Sequence, residues 1–211
     1  MDQNLTEIAL VIDRSGSMQA CQLEAQNGVN RFIMEQCALP GSALFTLAQF
    51  DEQYEICLSG VNKNSMMDYT YALVPRGMTA MLDAIGKTIS SVGERLGKLD
   101  ESARPGLVVV LIVTDGEENA SYKFSRERIK QMIEHQQTAY NWQFVYLGAN
   151  QDAITTATRM GIAGAVATYN VNKSGATYAV ASDNVARMRA SSAGGQSISN
   201  TFTPEETEKI K

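Results

Sequence analysis

The chain has few of the residues on which redox, soft-metal and histidine-based chemistry depends. Its 211 residues include three cysteines, Cys21, Cys37 and Cys57, without a CxxC spacing, and a single histidine, His135. An odd set of isolated cysteines is typical of small core residues in a reducing compartment and disfavours a disulfide framework. A serine or cysteine nucleophile needs a nearby base, so the single histidine weakens that class of catalysis.

Long apolar runs and clusters of basic residues are also missing. No apolar stretch approaches the roughly 20 residues that a membrane-spanning helix needs. The first residues, Met1 to Asn4, lack the basic and apolar regions of a signal peptide. The formal net charge is -5, and no long Lys/Arg cluster interrupts it. We therefore expect a cytoplasmic protein that does not bind membranes and whose acidic balance disfavours nucleic-acid binding.

What the chain does have is a regular alternation of apolar runs with helical stripes. With 44% hydrophobic residues it can build a full core. The three-residue turn at 51–53 is so short that the strands beside it must form an antiparallel hairpin at the sheet edge. The alternation predicts an α/β layered domain with a mostly parallel sheet. The predicted strands are 8–12, 43–50, 54–58, 107–113, 144–147 and 165–169, and the helical stripes are 18–37, 81–96, 129–133, 154–160 and 178–188.

Oxygen-bearing side chains occur in three loops that we expect at one edge of this sheet. One loop directly follows strand 8–12, a second precedes the helix that begins near residue 81, and a third follows strand 107–113. Strand-to-helix loops of a parallel sheet lie at its carboxyl edge, and ligands bind there where the strand order reverses. Oxygen donors without histidine or cysteine suit a Mg²⁺-like ion, although the first loop by itself is also typical of a helix cap. The candidate ligands are Asp13, Ser15, Ser17, Thr79 and Asp115.

These parts, in this order, resemble the von Willebrand factor A (vWA) domain family. Its metal-ion-dependent adhesion site (MIDAS) combines an Asp-x-Ser-x-Ser run, a distant Thr before a helix, and an Asp that ends the fourth strand. Here these are Asp13-Arg14-Ser15-Gly16-Ser17, Thr79 and Thr114-Asp115-Gly116, and the resemblance covers roughly residues 5–190. The chain is similar to stand-alone intracellular bacterial or bacteriophage members. The resemblance implies a Rossmann-like three-layer fold with a six-stranded sheet, one antiparallel edge strand and helices on both faces.

The resemblance also implies a function, which is a Mg²⁺-dependent protein–protein interaction module and not an enzyme. Ser15 and Ser17 would ligate Mg²⁺ directly, Asp13 and Asp115 directly or through waters, and Thr79 when a partner is bound. Mn²⁺ or Ca²⁺ could replace Mg²⁺. Because the direct ligands are mostly neutral hydroxyls, the ion would seek an Asp or Glu carboxylate from a partner protein. Two alternatives stay open, which are a Mg²⁺-dependent hydrolase or phosphotransferase and a nucleic-acid-associated scaffold.

The composition turns polar after Gly194-Gly195, which predicts a domain over residues 1–192 and a partly ordered tail over 193–211. In that tail, Thr203-Pro204 has the pattern of a helix start, with Thr as the N-cap and Pro at the first helical position. One hypothesis is that Glu205 or Glu206 caps the metal site of the same chain or of a neighbouring one, which would give self-association. The alternative is an acidic solubilising tail.

Several other polar residues near the predicted site have simpler interpretations. We expect Asp83 to complement a helix dipole. Glu117 and Glu118 are expected to be solvated in a loop, and Asn150 and Asp152 to cap a helix.

We expect Arg14 and Arg76 to be exposed on the surface, with steering of a carboxylate as their functional alternative.

Overall fold

Six strands form the centre of the computed structural model, which describes residues 1–149, 152–170 and 173–210. They are β1 (Asp2–Asp13), β2 (Ser42–Phe50), β3 (Tyr54–Asn62), β4 (Pro105–Thr114), β5 (Gln143–Gly148) and β6 (Val166–Thr168). Their order in the sheet is β3-β2-β1-β4-β5-β6. The β2–β3 pair is antiparallel and the other four pairs are parallel. The predicted sheet with one antiparallel edge strand is thus confirmed.

Helices cover both faces of the sheet. Residues of a strand point alternately to opposite faces, and in β1 this places Ile8 and Leu10 in one core cluster and Ala9 and Val11 in the other. Both clusters are completed by helical residues, so the domain has three layers as predicted. Among the described residues, no helix is both long and apolar enough to cross a bilayer. The helices are α1 (Gln22–Ala38), α2 (Met81–Gly97), α3 (Arg126–Tyr140), α4 (Ala153–Arg159), α5 (Ser174–Ala193) and α6 (Pro204–Ile210).

The C-terminal segment, predicted as a partly ordered tail, packs against the domain through a few residues. Ile210 at the end of α6 is fully buried in the core, and Asn200 donates from Nδ2 to the Phe144 carbonyl at 2.9 Å. The predicted cap of α6 is present, because the Thr203 hydroxyl accepts from the Glu206 N–H at 3.1 Å. Because the composition of this segment is mostly polar, the few residues that anchor it could not be recognised from the sequence.

The structure also bears on the hypothesis that Glu206 reaches the metal site. Glu206 is 6% exposed and accepts from Arg187 Nη2 at 3.0 Å and from the Thr203 N–H at 2.8 Å. Its carboxylate is therefore committed to α5 and to the α6 cap, and the hypothesis is wrong for Glu206 in this conformation. For Glu205, which is exposed, it stays a prediction.

Cutting the chain after Gly195 is expected to destabilise the domain. The cut removes the buried Ile210 side chain, which by itself contributes about 1.5–3 kcal/mol of hydrophobic stabilisation, together with the hydrogen bond from Asn200. Urea unfolding should show a free energy of unfolding at least about 2 kcal/mol lower than that of the full chain. The exposed-site variant Glu205→Ala serves as the control and should unfold like the unchanged chain. Equal stability of the cut and full chains would restore the interpretation as a separate tail.

Candidate metal site

The site begins where β1 and β4 end side by side. The strand order reverses here, because β2 and β4 lie on opposite sides of β1. Asp13, the last residue of β1, is fully buried. Its Oδ2 accepts from the Thr114 hydroxyl at 2.5 Å, and its Oδ1 accepts from the Ser15 N–H at 2.7 Å. These two bonds fix the carboxylate between the loop after β1 and the end of β4.

Three hydroxyl groups surround one point beside this carboxylate. A Cβ atom built on Gly116 would lie 2.7 Å from Thr79 Oγ1, 3.2 Å from Ser15 Oγ and 3.3 Å from Ser17 Oγ. The Ser15 and Ser17 hydroxyls are 3.0 Å apart, and Ser17 donates to Asp115 Oδ1 at 2.6 Å. The structure therefore brings all five predicted residues together. It also shows why position 116 needs a glycine, since a side chain there would press on the hydroxyls.

The donor set fits a hard divalent cation. It offers two carboxylates and three hydroxyls, all of them oxygen donors, which is the chemistry that Mg²⁺, Mn²⁺ and Ca²⁺ prefer. In the described ranges, no group of three or more His, Cys, Asp or Glu side chains could hold a metal ion elsewhere. The fit thus depends on the hydroxyls as much as on the acids. That these residues ligate a metal stays a prediction.

Burial makes both carboxylates of the site harder to ionise. It raises the pKa of Asp13 to about 6, against hydrogen bonds from Thr114 and Ser15 that lower it, and the charge of Asp115 adds to the rise. Burial also raises the pKa of Asp115, although the hydrogen bond from Ser17 opposes this. A buried and a partly buried carboxylate that share a site are stabilised by a cation between them, so the electrostatics agree with the donor set.

The turn between β2 and β3 connects the loops that carry the candidate ligands. Asp51 in this turn is fully buried, and its Oδ2 accepts from Arg14 Nε at 3.0 Å and from Arg76 Nε at 2.6 Å. Arg14 lies between two candidate ligands in the chain and is only 5% exposed. The prediction that Arg14 is a surface residue is therefore wrong. Arg76 keeps half of its side chain exposed but shares the same carboxylate.

The backbone around Thr79 is held by the same turn. The Ala80 N–H donates to the Asp51 carbonyl at 2.9 Å, and the Met78 N–H donates to Glu52 Oε2 at 2.7 Å. Gly77 has a φ of +68° and leaves no room for a side chain, because a Cβ there would lie 1.9 Å from Glu52 Oε2. The residues on both sides of Thr79 are thus anchored to a hairpin turn about 25 residues earlier in the chain, while the Thr79 N–H itself donates to Asn119 Oδ1 at 2.9 Å.

Two acids near the site anchor the loop between β4 and α3. Glu118 accepts from the Leu82 N–H and from the Ser121 hydroxyl, both at 2.8 Å. Asp83, which is 2% exposed, accepts from the N–H groups of Lys123 and Phe124, both at 2.9 Å. The predictions of a solvated Glu118 and of a dipole role alone for Asp83 are therefore wrong. Glu117 is exposed, as predicted.

Asp152 and His135 are the two remaining candidate residues that the structure describes. Asp152 occupies the N-cap position of α4, but its side chain makes no capping hydrogen bond, so that prediction is wrong. Asn150 lies outside the described residues. His135, in the last half of α3, lines a cavity with Met1 and Gly106 at the amino edge of the sheet. This histidine is therefore on the opposite edge from the hydroxyl cluster.

No family model and no curated protein matches the chain. Solved structures match it as folds. A von Willebrand factor type A protein from Catenulispora acidiphila has a TM-score of 0.59 at 15% identity, over 90% of this chain and 42% of that one. Proximal thread matrix protein 1 from the mussel byssus, with a zinc-occupied MIDAS motif, has a TM-score of 0.60 at 14% identity, over 85% and 47%.

The PilB minor pilin from Streptococcus sanguinis has a TM-score of 0.61 at 12% identity, over 86% of this chain and 61% of that one. The chain thus spans about two fifths to three fifths of the length of these neighbours. Identities this low show the fold alone. The chain has the three-layer α/β fold of vWA domains.

Proposed function

We propose that this chain is a metal-dependent protein-binding module that uses the site at the ends of β1 and β4. The observation that carries the proposal is the convergence of the Ser15, Ser17 and Thr79 hydroxyls on the space above Gly116. These groups lie beside the Asp13 and Asp115 carboxylates. Holding three separate loops in one fixed geometry costs conformational entropy. A ligand bound by their five oxygen donors would offset this cost.

The donor set suggests what the bound ion would recognise. We infer that Mg²⁺ is held by hydroxyls and by two carboxylates, with waters completing its roughly six ligands. Neutral hydroxyls neutralise less of the positive charge of the ion than carboxylates would. An anionic oxygen from outside is therefore attracted, and the Asp or Glu carboxylate of a partner protein supplies one. The mussel byssus protein, which has a zinc-occupied MIDAS motif, supports a divalent ion in this fold.

The proposal includes the absence of catalysis at this site. Its nucleophile candidates, Ser15 and Ser17, hydrogen-bond to each other, and Ser17 donates to Asp115. The sole histidine of the sequence, His135, lies on the opposite edge of the sheet. Hydrolysis of p-nitrophenyl phosphate should therefore stay at background with Mg²⁺ or Mn²⁺. Metal-dependent turnover that the variant Asp13→Ala loses would favour the hydrolase alternative.

Partner binding is tested by comparing capture in Mg²⁺ with capture in EDTA. The immobilised full chain should retain a protein only in Mg²⁺, and a chain with Ser15→Ala and Ser17→Ala should not retain it. A peptide from that protein should lose binding when its Asp or Glu residues are replaced by Asn or Gln. Retention in EDTA, or retention by the double variant, would contradict a role for the metal.

The double variant Ser15→Ala, Ser17→Ala is expected to stay folded while it loses metal affinity. Both side chains lie between β1 and α1 at the edge of the sheet, at the start of a short 3-10 helix, Gly16–Cys21, and the two core clusters do not include them. A bound ion adds only a linkage contribution that depends on its occupancy. Circular dichroism should show a native spectrum and a cooperative melt, and calorimetry should show no Mg²⁺ binding. Loss of the native spectrum would make the hydroxyls, or the metal they hold, structural.

A further inference from the structure

The loop between β4 and α3 is attached to the start of α2 along much of its length. Asp83, in the first turn of α2, accepts from the N–H groups of Lys123 and Phe124, both at 2.9 Å. The Phe124 ring lies against Gly86 one turn further on, where a built Cβ would be 2.7 Å from the ring carbons. The loop that carries Asp115 is therefore fastened to the first two turns of α2.

The attachment includes Thr79, whose backbone is held on both sides by one residue of that loop. The Thr79 N–H donates to Asn119 Oδ1 at 2.9 Å, and the Thr79 carbonyl accepts from the Asn119 N–H at 3.0 Å. The same carbonyl also accepts from the Ala120 N–H at 3.2 Å. Three hydrogen bonds thus hold this candidate ligand, which is only 3% exposed, against the loop that carries a second one, Asp115.

The Glu118 carboxylate joins the same two segments. Its Oε2 accepts from the Leu82 N–H of α2 and from the Ser121 hydroxyl, both at 2.8 Å. Its Oε1 accepts from the N–H groups of Ala120 and Ser121, at 3.1 and 2.8 Å. One carboxylate therefore shapes its own loop and binds that loop to α2. The adjacent acid, Glu117, is exposed, so the chain offers a neighbour of equal charge that does not make these contacts.

We propose that Glu118 and Asn119 are positioning residues of the candidate metal site and that they act through Thr79. The proposal rests on the proposed function, because it requires a cation at this site. The Thr79 hydroxyl borders the point above Gly116 that the two serine hydroxyls also surround. The hydrogen bonds that Glu118 and Asn119 accept hold Thr79 against the segment that contains Gly116, and they therefore fix the size of the space that an ion would occupy.

A space of fixed size discriminates between ions of different radius. Mg²⁺ binds oxygen ligands at about 2.0–2.1 Å in a near-ideal octahedron, whereas Ca²⁺ binds them at about 2.3–2.6 Å in variable geometries. A larger ion requires the hydroxyls to move outward, and at Thr79 the hydrogen bonds with Asn119 oppose this movement. We therefore expect the unchanged chain to prefer Mg²⁺ over Ca²⁺, and this preference to decrease when Glu118 or Asn119 is replaced.

Isothermal titration calorimetry of the full chain with Mg²⁺ and with Ca²⁺ tests the role of Glu118. Glu118→Gln should bind Mg²⁺ about tenfold more weakly, as expected for a residue that orients a ligand, and Ca²⁺ less than about threefold more weakly. The control Glu117→Gln removes the same charge from the adjacent residue and should keep the preference of the unchanged chain, because a change of charge acts on both divalent ions alike. An equal loss of affinity for both ions in Glu118→Gln would overturn the positioning role.

The exposed residue Asn119 provides a second test. Asn119→Ala removes the acceptor of the Thr79 N–H without a change of charge, whereas Asn119→Asp keeps an acceptor oxygen. In the metal-free chain, hydrogen exchange of the Thr79 amide should be about tenfold faster in Asn119→Ala than in the unchanged chain or in Asn119→Asp. The preference for Mg²⁺ should fall at least about threefold in Asn119→Ala and be retained in Asn119→Asp. An unchanged preference in Asn119→Ala, or a loss that Asn119→Asp does not restore, would contradict the role of Asn119.

Failure of this proposal can be distinguished from failure of the proposed function. If the unchanged chain binds neither ion, both are wrong. If it binds Mg²⁺ but binds Ca²⁺ more tightly, or if the variants keep its preference for Mg²⁺, the metal site stands and the roles of Glu118 and Asn119 are wrong. If Glu118→Gln does not melt cooperatively, the hydrogen exchange and the two titrations of Asn119→Ala decide.

Discussion

Replacing Asp13 by alanine is expected to abolish Mg²⁺ binding in isothermal titration calorimetry. Asp13 supplies one of the two carboxylates beside the hydroxyl cluster, and its hydrogen bonds from Ser15 and Thr114 hold the loop after β1 against the end of β4. Losing a group that merely supports a metal ligand lowers affinity by about 10–100-fold. Losing a ligand should therefore exceed that range.

Two further variants separate the metal ligand from general effects on charge and folding. Glu117→Gln removes an exposed charge from the same edge and should change the affinity by no more than about twofold, since solvent and salt screen such a charge. Asp13→Asn keeps the size of the side chain and an acceptor for the Ser15 N–H while it removes the negative charge. It should melt close to the unchanged chain yet bind Mg²⁺ weakly. Binding by folded Asp13→Ala that equals the unchanged chain would place the metal elsewhere.

The layered fold could be predicted because each element carries its own signal. The runs at 8–12 and 107–113 are continuously apolar, which is typical of strands that are buried on both faces, and they became β1 and β4 at the centre of the sheet. The three-residue turn at 51–53 forces a hairpin, and β3 is indeed the antiparallel edge strand. These are short-range patterns, so no knowledge of distant contacts was needed.

The ligand candidates could be predicted for a similar reason. Asp13 ends β1 and Asp115 directly follows β4, so placing the strands also places the acids. What the sequence does not show is which other residues hold these acids and their loops in place. Arg14 pairs with Asp51, which lies 37 residues later, and an isolated arginine between two ligand candidates looks like a surface residue. Glu118 likewise looks like a solvated acid until the start of α2 is placed beside it.

The packing of the C-terminal segment could not be predicted from its composition either. The composition is polar on average, whereas the contact with the domain depends on single residues such as Ile210 and Asn200. The surroundings of the α2 glycines were also beyond the sequence. Gly86 and Gly93 look alike in the chain, and only the structure shows that the Phe124 ring fills the space beside Gly86, whereas a Cβ on Gly93 would have Gln136 Nε2 as its nearest neighbour, at 3.8 Å.

Asp51→Asn is expected to destabilise the domain although Asp51 is not a candidate ligand. The change removes the charge that the buried Arg14 and the half-exposed Arg76 share, while it keeps the size of the side chain. Breaking a buried ion pair costs about 3–5 kcal/mol. We expect about 3 kcal/mol, the lower end, because Arg14 keeps Glu55 as a second partner at 2.7 Å. Urea unfolding at pH 7 measures this difference, and Glu55→Gln, at the exposed partner, should cost less than about 1 kcal/mol.

The loss of unfolding free energy in Asp51→Asn should depend on pH, and this dependence identifies the charge of Asp51 as its cause. Burial raises the pKa of Asp51, but hydrogen bonds from Arg76 and the Gln53 N–H and the charge of Arg14 outweigh it and hold the pKa below its usual value. A carboxylate with a lowered folded-state pKa stabilises fully above its unfolded pKa of about 3.9 and loses this contribution as the pH falls through the folded value. The difference in unfolding free energy between Asp51→Asn and the unchanged chain should therefore become smaller from pH 7 to pH 3.

The same variant should also weaken Mg²⁺ binding, by about tenfold as for other residues that orient ligands, because the Asp51 carboxylate holds Arg14, next to Ser15, and Arg76, three residues before Thr79. Calorimetry on the folded variant at pH 7 measures this loss, and Glu55→Gln should keep the affinity of the unchanged chain. A loss of stability without a loss of affinity would mean that Thr79 is positioned by its contacts with Asn119 in the loop after β4. A stability difference that is unchanged at pH 3 would show that packing, and not the shared charge, makes Asp51 important.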